Sequence, residues 1–528
     1  MQDYQTAYDD FDIQNLVEQF DGDLEVGFNV AEEALYRHPD SDIALIWQRG
    51  GQRREITYGA LAKRVRHLAA AFRQRGIEPG DRVGVLLPKR PELLEVGFAL
   101  WHIGAVYVPL FTAFGHDAIA ARCLRADATT IFTDSEFAEN ARKADSLDAD
   151  IVEVDSDEFD EMRRTDPDEA PPARRLADDP FILLFTSGTT GQPKGVPVPH
   201  RALLAFHQYM TAGIDLRDDD AFWNIADPGW AYGLYYGLVG PMAMGQTIRY
   251  LQEKFDPRRA VTFMEEEGIT NLAGAPTAWR VIKAEGLDIP ELDLRVASSA
   301  GEPLSPEVMN WFRDTLGAPV YDHYGQTEIG MAVNNHHGLE QDVTAGSMGR
   351  PMPGFRMVVL DEEYREVVGE PGELAVDTSE SPLCFFEGYL GGEQAEETFE
   401  GDYYLTNDVA RVDEEGKFWF ASRADDVIMT AGYRIGPSEV EGELIGHPSV
   451  AESAVVGAPD ETRGEIIVAF VVLKGGYQRS DELAEELQMH VKEELAAHAY
   501  PRRIEFVDQL PKTPSGKVQR FELRDRLD

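Results

Sequence analysis

The stretch Phe185–Gly195, FTSGTTGQPKG, packs three glycines, four hydroxyl-bearing residues and one lysine into eleven positions. Glycines let backbone amides turn toward a single anion, Thr186, Ser187, Thr189 and Thr190 offer hydroxyl donors, and Lys194 adds a point charge. The pattern points to a phosphate cradle. It is not the loop of P-loop NTPases, which needs G-x-x-x-x-G-K-[ST] opening a helix. Here Gly191 is followed by Gln192, and Lys194 sits between Pro193 and Gly195. The continuation GVPVPH alternates Val196 with Val198, a strand pattern. The stretch therefore reads as a hairpin: the strand FILLFT, a glycine-rich loop, a second strand, and a helix only from about His200.

Upstream, DRVGVLLPKR and AVYVPLF read as short buried strands, and RPELLEVGFALWHIG between them has helical spacing with a glycine stop. Strand, helix, strand at that spacing predicts parallel pairing in an α/β layer. Residues 133 to 179 are rich in charge and proline and read as a poorly packed surface excursion. A compositional break falls near KFWFASRADDVIMTAGYRIGPSEVEGEL, where a strand is expected to end at Ala421 and a helix to start at Pro437. Beyond it, ESAVVGAPD, EIIVAFVVL, SDELAEELQMHVKEEL and RRIEFVDQL alternate strand and helix, as in a small α+β domain. The expected division is 1–423 and 424–528, with a hinge near 423–426.

A chain of 528 residues is too long for one ordinary core, so at least two domains are expected. Acidic residues number 95 against 49 basic ones, a net charge of −46 spread along the chain. So negative a field repels nucleic acid and anionic membranes. It suits a salt-rich cytoplasm, where screening removes the mutual repulsion of carboxylates. Cys123 and Cys384 are the only cysteines, which leaves no disulfide framework or cysteine metal cluster. The start, MQDYQTAYDD, does not read as a signal peptide, and the longest apolar run, VGFALWHIGAVYVPLF, is short for a membrane span. The expectation is a cytoplasmic protein with no membrane span.

Further motifs follow the glycine loop in order: ASSAGEPLS (297–305), DHYGQTE (322–328), YLTNDVA (404–410), SRADDVIMTAGYRIGPSEVE (422–441) and LPKTPSGKVQR (510–520). Together they resemble the signature set of the adenylate-forming (AMP-binding) superfamily, in its acyl-CoA synthetase branch, from about Phe28 to the C-terminus. The resemblance implies an α/β fold: a large N-terminal domain of mixed sheets and helices and a small mobile C-terminal α+β domain. It also implies AMP-forming acyl-CoA synthesis from ATP, CoA and a carboxylic acid, with Mg2+, and a place in fatty acid metabolism. One departure is Asn407, where the family usually has glycine; asparagine tolerates the left-handed backbone region better than most residues.

By this resemblance, Thr186, Ser187, Gly188, Thr189, Thr190, Gly191 and Lys194 hold the β- and γ-phosphates. Gly301, Glu302 and Pro303 face adenine, and the segment Asp322, His323, Tyr324, Gly325, Gln326, Thr327 lines the nucleotide, with Thr327 at the α-phosphate. Glu328 holds the metal. Asp408 accepts from the ribose hydroxyls beside Arg423, and Arg434 lies near the phosphates. Lys517 brings charge to the adenylation transition state, so catalysis falls on Lys517, Thr186, Glu328 and Lys194. Asp425 is the hinge residue, Gly432 lets pantetheine pass, and Lys492 meets a CoA phosphate.

By the same resemblance, the acyl pocket falls on Trp230, Ala231 and Tyr232 of DPGWAYG, with Ala300 and Gly325. Acetate-specific relatives carry a tryptophan at the position of Gly325, so a hydrogen there is expected to open room for butyrate to octanoate, each methylene contributing about 0.8 kcal/mol. The Tyr232 ring can refill part of that space, which leaves acetate, propionate and aromatic acids open. Two other readings also stay open: an enzyme that loads a carrier-protein thiol, and a non-catalytic nucleotide-binding protein.

Overall fold

The computed structural model describes residues 1–144, 147–167, 171–187, 193–392, 398–430, 433–460, 463–495, 499–512 and 518–527. Its N-terminal sheet runs, edge to edge, Asp150–Glu153, Thr130–Thr133, Arg82–Leu86, Val106–Pro109, Pro180–Ser187, Pro193–Pro199. All neighbours are parallel except the last two strands, which form the antiparallel hairpin read from the glycine loop. The helix Pro91–Ile103 joins two of these parallel strands. Proline in its first turn removes no needed hydrogen bond, and Gly104 at φ 80° closes its end. All 13 of its residues are buried, which is why it reads as an almost unbroken apolar run.

Residues 133 to 179 are not the loose excursion expected. Asp150–Glu153 is the edge strand of the parallel sheet, and the helix Asp157–Met162 buries Phe159 completely. The pattern was too short to see: four strand residues and a six-residue helix supply few apolar positions among many acids.

A second sheet runs Phe222–Asn224, Asn271–Gly274, Val296–Ala300, Val320–Gln326, Gly330–Asn334, Arg350–Pro351. Its first four strands are parallel, so their C-terminal ends, a usual place for ligand sites in α/β folds, carry Ala300 and the 322–328 motif to one edge. A mainly antiparallel sheet follows, in which Tyr403–Val412 pairs with Phe418–Arg423. The latter strand runs two residues past the expected end at Ala421 and sets Arg423 opposite Asp408.

The smaller C-terminal domain is built on Tyr433–Ile435, Ile428–Thr430, Gly464–Leu473 and Val450–Asp460, with Arg503–Phe506 beside the long central strand. Val450–Asp460 and Gly464–Leu473 form a hairpin, so the order is not the simple alternation read from sequence. The helices Pro437–Gly446 and Asp481–Glu494 cover the sheet, the second capped by Ser480. The apolar clusters of this domain draw only on residues from Ile428 onward, so it has its own core.

Candidate active site

The hairpin register places Thr186 directly opposite Lys194. The Lys194 ammonium lies 5.0 Å from the centre of the Tyr389 ring, within cation–π range. The Tyr389 hydroxyl in turn donates to Glu328 Oε1 at 2.9 Å. Glu328 is buried, and that burial pushes its carboxyl above the usual carboxylate range. Lysine and glutamate, far apart in sequence, thus flank one tyrosine. Gly188, Thr189, Thr190 and Gly191 lie outside the described residues, as does the side chain of Ser187.

Asp408 is the best-held acid of the site. Tyr324 donates to its Oδ2 at 2.6 Å and Gln326 to the same oxygen at 2.8 Å, while Arg423 Nε stands 3.3 Å from Oδ1. Gln326 is itself fixed, donating to the Thr406 carbonyl and accepting from Tyr404. The chain reaches Asp408 through Asn407 at φ 57°, the left-handed turn expected of that asparagine. One carboxylate is thereby aimed by groups from the 322–328 motif and from the strand Phe418–Arg423.

At the end of Val296–Ala300 the chain turns at Gly301, φ 94°, into exposed Pro303. Glu302 accepts from Thr277 at 2.8 Å and from Arg280 at 2.5 Å, so its carboxylate pins the turn to the helix Pro276–Ala284. Asp322 is buried with the Leu304 amide 3.4 Å away, and burial pushes its carboxyl up to about 8. The Thr327 carbonyl accepts from Tyr235 at 3.2 Å. His323 is also buried, and that burial holds its imidazole well below the ordinary value.

The acyl residues divide. Trp230 packs between Phe111 and Phe114, with ring centres 5.4 and 5.6 Å away. Tyr232 turns the other way, its ring 5.7 Å from Tyr236 and its hydroxyl 3.1 Å from that of Tyr209. Ala300 is buried beside His323, with which it is in register. Gly325 does not act as an open wall. A Cβ there would stand 2.0 Å from the Gly330 carbonyl oxygen, so the missing side chain lets two strands close at a bulge, and a tryptophan could not point into the cleft without moving backbone.

In the C-terminal domain, Lys492 sits in the last turn of Asp481–Glu494 with its ammonium 5.5 Å from the Tyr500 ring, an intradomain contact. Gly432 and Lys517 lie outside the described residues, as do the side chains of Asp425 and Arg434. Beside the hinge, Asp426 pairs with Arg520 at 3.2 Å and with Arg524. Among the described residues no group of three or more His, Cys, Asp or Glu side chains converges as a metal site, and no helix is long and apolar enough to cross a membrane.

Residues 31–390 match the family described as AMP-binding enzyme, and residues 439–517 match the AMP-binding enzyme C-terminal domain. The chain belongs to the AMP-binding enzyme family. This AMP-binding enzyme is 35% identical to the acetyl-coenzyme A synthetase of Bacillus subtilis, over 99% of this chain and 95% of that protein. It is 37% identical to a mitochondrial acyl-coenzyme A synthetase of Mus musculus, over 85% of this chain and 80% of that one. A crystal structure of an acyl-CoA synthetase of Brucella canis superposes with a TM-score of 0.80 at 43% identity, covering 100% of this chain and 99% of the other.

Sequence reasoning missed several residues that organise the AMP-binding enzyme's site: Tyr389, Tyr404 and Tyr209. Tyr389 carried a weak signal, a tyrosine between Gly388 and Gly391, but nothing in that segment marks its reach to Glu328. Tyr404 stands at the head of the YLTNDVA motif, and its contact with Gln326 spans 78 positions of sequence.

Proposed function

We propose that this AMP-binding enzyme is an AMP-forming acyl-CoA synthetase acting on short- to medium-chain carboxylic acids in a salt-rich cytoplasm. It is a ligase that forms acyl-CoA: the acid's carboxylate attacks the α-phosphorus of ATP, releasing diphosphate and an acyl-adenylate, and the CoA thiol then displaces AMP. The observation that carries the reading is the carboxylate of Asp408, held by Tyr324, Gln326 and Arg423 at the sheet edge that also presents Glu328. Such a fixed acceptor suits a ribose diol, and binding there orients the α-phosphate for in-line attack.

Lys194 and Thr186 would hold the outer phosphates and Lys517 would bring charge to the transition state; Arg434, Asp425, Gly432 and Lys492 are assigned to the thioester step. Magnesium fits Glu328. A buried carboxyl held above its ordinary range is one that a nearby cation would stabilise as carboxylate, and magnesium uses one or two carboxylates beside phosphate oxygens. When bound, it would neutralise phosphate charge. The separate core from Ile428 onward supports a division into 1–423 and 424–528 with the hinge at 423–426. The small side chain of Ala231, next to Tyr232 in DPGWAYG, supports a chain longer than acetate.

The test is AMP release at high potassium chloride with ATP and magnesium, across acids from acetate to octanoate plus benzoate, with and without CoA. CoA-dependent release peaking between butyrate and octanoate is expected. A maximum at acetate would overturn the chain-length reading, and release independent of CoA would favour a carrier-protein thiol. Lys517→Ala should slow adenylate formation roughly 10²- to 10³-fold or more, the usual loss for a group placed where charge develops.

A further inference from the structure

The segment 384–392 lies against the glycine-loop hairpin and is tied to it at two points. Arg201, just past the hairpin strand Pro193–Pro199, donates to the Cys384 carbonyl at 2.8 Å and to the Phe385 carbonyl at 3.3 Å, and pairs with Glu387 at 2.9 Å. Further along, a Cβ on Gly195 would stand 3.1 Å from Leu390 Cβ, so the glycine lets the hairpin backbone come up against the segment. Tyr389 is next to Leu390 in the chain, and Lys194 is next to Gly195. Phe386 holds the Tyr389 ring from within its own segment, with ring centres 5.0 Å apart. Tyr389 is thereby fixed before any ligand arrives.

Its two functional parts serve opposite charges. The hydroxyl donates to Glu328 Oε1 at 2.9 Å, and the ring centre lies 5.0 Å from the Lys194 ammonium. The hydroxyl has one proton to give, so it aims one carboxylate oxygen. A ring attracts a cation through its quadrupole but supplies no countercharge. Among the described residues Lys194 forms no ion pair, in a chain with 95 acidic residues. An ion pair with a carboxylate would cancel the charge that a polyphosphate needs to meet. Contact with a neutral ring seats the ammonium and leaves that charge in place.

Resting on the acyl-CoA synthetase reading, we propose that Tyr389 is the positioning residue for the triphosphate of ATP. Its ring seats Lys194 for the phosphates, its hydroxyl sets Glu328 for the magnesium that accompanies them, and neither charge is spent on the other.

The experiment is calorimetric binding of ATP, with no acid present, at high potassium chloride, once in EDTA and once in magnesium chloride. It compares the wild-type enzyme with Tyr389→Phe and Tyr389→Leu, and CoA-dependent AMP release is followed alongside. Tyr389→Phe keeps the ring and loses the hydroxyl. ATP with magnesium should then bind about tenfold more weakly, the effect of one hydrogen bond to a charged group, while ATP in EDTA binds as tightly as before. Tyr389→Leu loses the ring as well, so ATP in EDTA should also bind more weakly, by about threefold. A tyrosine that merely packs would weaken binding alike in both media. Equal weakening by Tyr389→Phe in the two media, or no change in either variant, would overturn the positioning role while wild-type AMP release keeps acyl-CoA synthesis standing. No AMP release by the wild type with any acid would overturn both.

Discussion

At position 325 a single hydrogen decides how two strands meet. The lack of a side chain looks, in sequence, like an enlarged pocket, because the resemblance implies that the neighbouring motif lines the substrate. In the folded chain that hydrogen serves close strand approach instead, since a Cβ would lie 2.0 Å from the Gly330 carbonyl oxygen and 2.7 Å from Met331 Cα. Backbone cannot yield as a side-chain tip can, so even Gly325→Ala should destabilise by about 1–3 kcal/mol, read as a lowered melting temperature. Gly325→Trp, which the pocket reading would expect to turn the enzyme toward acetate, should instead give little folded protein. A folded, acetate-preferring Gly325→Trp enzyme would mean that Gly330–Met331 moves aside. Asn407 is the opposite case: its tolerance of a left-handed turn could be judged from residue type alone, and φ 57° agrees.

Elements with strong local patterns were legible. The hairpin around Lys194, the buried helix Pro91–Ile103 and the capped helix Asp481–Glu494 each announce themselves through alternation, proline and glycine boundaries, or a serine cap. The edge strand Asp150–Glu153 and helix Asp157–Met162 did not, because their few apolar residues are spaced among acids that face solvent. Their place depends on partners far away. Phe159 meets Phe132 at 6.4 Å between ring centres, and Arg163 binds Glu92 and Glu95 of the buried helix. Phe159→Ala should therefore cost about 3–5 kcal/mol in denaturant melts, the range for deleting a fully buried phenylalanine. A surface excursion would lose almost nothing.

For the molecule as a whole, charge is the dominant non-local quantity. With a net charge of −46, self-repulsion opposes the compact state wherever screening is weak. Raising the ionic strength from ~0.1 M to ~1 M shortens the screening length from about 10 Å to about 3 Å. The melting temperature should rise across that range of potassium chloride. A flat or falling curve would remove the case for a salt-rich cytoplasm.

Order along the chain was enough to determine the family and the α/β class, because glycine loops, acids and lysines declare their chemistry locally and their order is one-dimensional information. Only the tertiary structure decided which groups hold which: Tyr389 between Lys194 and Glu328, Arg423 opposite Asp408, and the hydrogen bonds that join Tyr209 to both His323 and Tyr232. The direction of a side chain and the partner it meets are properties of atoms brought together across sheets, and no spacing in the sequence encodes them.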